Sequence, residues 1–203
     1  MTVISAERHE TLTRRVRMLV AATIAYNVVE GIIAISAGSV AGSTALVAFG
    51  LDSFIEVSSA AMVAWQFAAP DPRVRERVTL RVIAWSFFGL AAFVSIESVR
   101  TLVGGHAVDP STVGIVLATL SLIIMPFLSY AQRSAGRAIG SLTAVADSKQ
   151  TLLCTYLSAV LLVGLLLNSA VGWSWADPVA GLVIAVIAVK EGRNAWRGDT
   201  CCS

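Results

Sequence analysis

Six apolar runs, each long enough to cross a lipid bilayer, dominate the chain: about 16–37, 43–68, 78–103, 111–132, 141–169 and 174–193. A bilayer core takes roughly 20 apolar residues per helix, so the expected fold is all-α and integral to the membrane, with six transmembrane helices. Composition agrees. Of 203 residues 56% are hydrophobic and 14% charged, and the mean hydropathy of +0.77 excludes an ordinary soluble domain. The organisation expected is an N-terminal segment at 1–15, a six-helix domain at 16–196 and a cysteine-containing tail at 197–203. The polar start, MTVISAERHETLTRRVR, is followed by no small-residue cleavage site, so a removable signal peptide is not expected.

The basic residues are sorted by connection. Arg8, Arg14, Arg15 and Arg17 precede run 1, Arg73, Arg75, Arg77 and Arg81 surround the second connection, and Arg133 and Arg137 mark the fourth. Lys190, Arg193 and Arg197 close the chain, whereas the odd connections carry only Arg100 beside them, with His106 and Asp109. The excess of positive charge on one side places both termini in the cytoplasm, in a cell or plasma membrane. Cys154 lies inside a helix and Cys201 and Cys202 are adjacent, which suits a reducing side rather than a disulfide scaffold.

Charge inside the runs carries the functional information. An ionisable side chain near the bilayer centre costs roughly 2.5 to 3.5 kcal/mol on insertion scales and calls for a partner, a watery cavity or a function. Glu30, Asp52, Glu56, Glu97 and Asp147 all fall inside the runs, with only Lys149 and Arg81 available to balance them. Asp52 and Glu56, in GLDSFIEV, are four apart and so share a helix face. Unpaired, they take up protons; a divalent cation reverses that preference. In ADSKQTLLC, Asp147, Gln150 and Cys154 stand at i, i+3 and i+7, one stripe that is able to face the pair. Carboxylates with a thiolate suit a zinc-like ion, whereas oxygen alone suits magnesium or calcium.

Each residue has a plainer reading as well. A carboxyl of the Asp52–Glu56 pair can be protonated and bonded to a neighbouring helix, Cys154 a small buried hydrophobe, and Gln150 an interhelical hydrogen bond. Asn27 and Glu30, in YNVVEG, read equally as packing glue or as an outer layer of polar support or a proton route for the metal site. Glu97 and Arg100 are spaced for an i, i+3 ion pair. Asp177 and Pro178, in WADPVAG, look like an N-cap and first helical residue. Pro126 is placed to kink helix 4.

Four segments, GSTALVAFGLDSFIEV, IESVRTLVGG, GRAIGSLTAVADSKQTLLCTYLSAVLLVGL and WADPVAGLVIA, together resemble the transmembrane domain of the cation diffusion facilitator family. The resemblance covers nearly the whole chain and stops short of that family's C-terminal cytoplasmic domain. It implies one divalent metal held by two acids on helix 2 and a His and an Asp on helix 5. Asp52 and Glu56 match the first pair, and Ala146 and Asp147 match the start of the second motif. Gln150 falls where the His is expected and Cys154 where the Asp is expected. That departure alters the softness and charge of the site, so the family's zinc preference does not carry over by itself; Cys154 puts zinc first, with cobalt, cadmium, manganese and iron as alternatives. The resemblance also implies a homodimer.

The reading that follows is a secondary transporter exporting a zinc-like divalent cation from the cytoplasm in exchange for protons. The rival is a membrane metal-binding or sensing protein that moves nothing. An enzyme is not expected, because no nucleophile with a paired base appears. Neither a prosthetic group nor a nucleic-acid partner is expected; the partners are lipid, metal ions and protons. Cys201 and Cys202 are candidates for metal capture by the tail.

Overall fold

The structure is a computed structural model that describes residues 6–67, 72–104, 108–138 and 142–197, with side chains described at most of these positions. It contains six helices: α1 (Ala6–Ala41), α2 (Thr44–Phe67), α3 (Pro72–Gly104), α4 (Thr112–Ala138), α5 (Leu142–Val171) and α6 (Ala176–Arg197). No strand occurs among the described residues. Lipid offers no hydrogen bonds to a bare backbone, which is why apolar runs of this length close their own ladders as helices.

The helices outrun the apolar segments. Ala6 to Arg17 continue α1 well into the segment expected at 1–15, because Ala, Glu, Leu and Arg favour helix in water as well. Likewise α3 begins at Pro72 rather than near 78, with proline at a helix start where its missing N–H costs nothing. Among the described residues five helices are long and apolar enough to cross a membrane; α6 stands apart because Asp177, Lys190, Glu191 and Arg193 charge its two ends. At 22 residues it is nevertheless about 33 Å long, enough to span.

Three helix-to-helix turns meet at one face. Ser43 N–H donates to Gly38 O at 2.9 Å, with Gly42 between them at φ 66°, a backbone conformation open to glycine. Asp109 N–H donates to Ala41 O at 2.9 Å, and Asn168 Nδ2 to Val108 O at 2.9 Å, which ties the α3–α4 and α5–α6 connections to the same end. Ser43 and Ser111 cap α2 and α4 by accepting from Leu46 and Gly114 N–H, each at 3.1 Å.

Asp177 departs from its expected role as N-cap of its own helix. Helix α6 starts at Ala176 and Asp177 sits inside its first turn, fully buried. Its carboxylate instead accepts from Ser43 Oγ at 2.5 Å and from Ala45 N–H at 3.4 Å. A negative group thus reaches across to the N-terminus of α2, where free N–H groups and the helix dipole favour it.

Helices pair most extensively as α1 with α2, α3 with α6 and α4 with α5, and α2 also touches α3, α5 and α6. Half of the apolar window of α2 is buried inside the protein, against 28% for α1, which makes α2 the central helix. Leu46 and Phe49 of α2 pack in the core with Val94, Met125, Leu161, Leu165 and Ile184. Close approach between α5 and α6 requires a glycine: a Cβ on Gly164 would stand 2.8 Å from that of Ala180. Outward, Val29, Ile32, Trp85, Phe127, Tyr130 and Val186 are exposed and form part of the apolar surface that lipid covers.

Candidate functional site

Three carboxylates are buried in the middle of the bundle: Glu30 on α1 and Asp52 and Glu56 on α2. They are treated very differently by their neighbours. Glu30 Oε2 accepts from Ser53 Oγ at 3.0 Å, and its Oε1 accepts a short bond from Ser121 Oγ of α4. Cys154 Sγ of α5 approaches Oε2 at 3.9 Å, so four helices converge on this one group. Glu30 is therefore well satisfied within the protein.

Glu56 is held by a second polar chain. Thr151 Oγ1 of α5 donates to Glu56 Oε1 at 2.9 Å and lies 3.3 Å from Gln132 Oε1 of α4. Gln132 Nε2 in turn donates to Thr23 Oγ1 of α1 at 3.0 Å. A small cavity lined by Thr23, Asn27 and Glu56 opens beside this chain, and the buried Asn27 Oδ1 has no hydrogen-bond partner among the described residues.

Asp52 is 93% buried, yet it makes no hydrogen bond or ion pair with any described residue. It lines a pocket between α2, α3, α5 and α6. The i, i+4 pair is thus split: Asp52 lines a pocket shared with α3, α5 and α6, and Glu56 lines one between α1 and α2. Four residues turn a helix by about 400°, so the two side chains diverge by about 40° around the axis. Both carboxylates and Glu30 act electrostatically on the Cys154 thiol.

Among the described residues no three of His, Cys, Asp and Glu gather closely enough to hold a metal ion. The side chains of Asp147, Gln150 and Lys149 lie outside the described residues, although their backbone belongs to α5. Cys201 and Cys202 lie wholly outside them. Arg81 is not a counter-ion for the buried acids, because its guanidinium sits 5.5 Å from the centroid of Trp196 on the α3–α6 face. Glu97 pairs with Arg100 at 2.7 Å, as its spacing implies, and leaves the buried set.

Ser53, Ser121, Gln132, Thr151 and Glu191 are the polar contributors that the sequence reading left out. The first four are polar residues inside apolar runs, which is a usable signal. Glu191 sits in the charged end of α6, where its pattern is that of an ordinary water-facing terminus.

Residues 75–197 match the family described as the cation efflux transmembrane domain. That segment takes in α3 to α6, including Cys154, while Asp52 and Glu56 precede it. The chain is 21% identical over 173 residues to an uncharacterized transporter of Synechocystis, covering 80% of this chain and 56% of the relative. It is 26% identical over 178 residues to an uncharacterized transporter of Methanocaldococcus jannaschii, covering 83% of this chain and 62% of the relative. The chain therefore spans a little over half the length of these curated relatives. A family match over more than half the sequence, on an all-helical bundle with buried acids at its centre, means that this chain belongs to the cation efflux transmembrane domain family.

Proposed function

We propose that the protein is a secondary transporter that exports a divalent transition-metal cation from the cytoplasm in exchange for protons, with Asp52, Glu56 and Cys154 as the metal-binding residues. The observation that carries this reading is Asp52, a carboxylate buried at the centre of a membrane protein with no partner among the described residues. A buried unpaired charge is costly, and a transported cation supplies the missing compensation. Glu30 needs no such supplement, because Ser53 and Ser121 already bond it; it supports the site from α1, with Asn27 beside Glu56.

Asp147 and Gln150 stand on the turns of α5 before Cys154 and complete the proposed ligand set. Carboxylate and thiolate ligands hold metal only when deprotonated, so protons arriving from the far side displace the ion. Zinc is the favoured cargo, since the thiol softens an otherwise oxygen-rich site; cobalt, cadmium, manganese and iron are the competitors. The arginine-rich ends place both termini in the cytoplasm. The ion leaves chemically unchanged, and the working unit is a homodimer. Cys201 and Cys202 in the tail capture metal before it enters.

The test is proton counterflow. The full chain is reconstituted into liposomes containing a pH-sensitive dye, and each candidate ion is added outside. Metal entry accompanied by lumenal alkalinisation supports exchange, lumenal acidification contradicts it, and the ranking of initial rates names the ion. Saturable metal binding with no flux of any ion sinks the transport reading and leaves the sensing one.

A further inference from the structure

The pocket beside Asp52 has two polar lining residues, and both are carboxylates. Phe87, Leu90, Leu157, Ile184 and Ala188 form much of its wall, while Asp52 and Glu191 face it from α2 and α6. Its volume of about 10 Å³ is roughly that of one water-sized sphere. Asp52 lies within electrostatic reach of Glu191. Glu191 accepts a weak bond from Asn194 Nδ2 at 3.4 Å and forms no ion pair with a described residue, although Lys190 and Arg193 are its sequence neighbours. Two like charges around a space walled by hydrocarbon repel each other, and little water is present to screen them. A cation between them reverses the sign of that energy.

We infer that Glu191 is a further binding residue for the transported cation, joining Asp52 across this pocket from α6. The inference rests on the transport reading above and extends it: the ion is handled on the α6 side of α2 as well as on the α5 side. The chemistry of this arm is distinct. Asp52 and Glu191 offer only oxygen, which suits hard divalent ions such as manganese, whereas Cys154 lies on the other flank with Glu30. Glu191 therefore biases selection towards oxygen-preferring ions.

The test uses the full chain with Co2+ as probe, read by its visible absorption in detergent and by its flux into liposomes. Glu191→Gln is expected to raise the Co2+ dissociation constant about tenfold or more and to raise KM more than it lowers the maximal rate. It should weaken Mn2+ more than Cd2+. Glu191→Asp, which keeps the carboxylate and guards against a folding defect, should recover part of the loss. Wild-type affinity and KM in Glu191→Gln, alongside lost flux in Asp52→Asn, overturn the inference and leave transport standing. Undiminished flux in Asp52→Asn removes Asp52 as a ligand and the inference with it, whereas absence of flux in the wild type removes the transport reading.

Discussion

At the scale of single residues, the three central carboxylates differ less in burial than in what surrounds them. Glu30 is met by two hydroxyls and a thiol, Glu56 by a threonine on α5, and Asp52 by hydrocarbon and a second acid. That contrast predicts different phenotypes. Replacing Thr151 with Val removes the donor that orients Glu56 and leaves its Oε1 without that bond. We expect a loss of about 1 to 3 kcal/mol in metal binding or folding, measured by titration calorimetry and thermal melting in detergent; a variant unchanged in both would show that the bond is idle. The residue scale is also where the sequence was most readable. Asp52 and Glu56 stand out because carboxylates are rare in apolar runs, whereas the role of Glu191 depends on α6 lying against α2, which no spacing within either helix encodes.

Among the helices, α2 organises the molecule and α6 secures it. Asp177 bonds Ser43 and Ala45 N–H at the start of α2, so one carboxylate joins the α3–α6 pair to the central helix. Replacement by Ala strands buried donors, at a cost of about 1 to 3 kcal/mol, and should lower the midpoint of thermal unfolding in detergent. Asp177→Asn, which keeps one acceptor oxygen, should lie between Ala and wild type; if Ala melts with wild type, the contact contributes nothing. A second element-scale prediction concerns Gly164, where a Cβ would meet that of Ala180 at 2.8 Å. Gly164→Leu should force α5 and α6 apart and reduce stability by about 1 to 3 kcal/mol, read from the same melts. Helix number and approximate extents were legible in the sequence from run length alone. The early start of α1 and α3 was not, because polar helix formers extend a helix beyond the bilayer without an apolar signature. The capping role of Asp177 was misassigned for a related reason: Asp-Pro at a helix start gives a local signal, and the actual partner, Ser43, is 134 residues away in sequence.

For the whole molecule, turns at 41–44, 108–111 and 168–176 meet at one end of the bundle, and the arginines in the first part of α1, near the start of α3 and at the ends of α4 and α6 belong to the other. The orientation argued from those charges is checked by single cysteines introduced, in a background without native thiols, at Ser39 and at Arg197. An impermeant thiol reagent added to intact cells should label the first and spare the second; the reverse pattern inverts the proposed export direction. The bundle carries on its central helix a buried acid with no partner among the described residues, and the account stands or falls on what that acid does. The decisive measurement is the initial rate of zinc entry into pH-gradient-loaded liposomes carrying wild-type protein or Asp52→Asn. The account predicts a fall of about 100-fold or more, equivalent to about 2.7 kcal/mol of lost stabilisation, in a variant that remains folded; a rate within twofold or so of wild type would contradict it.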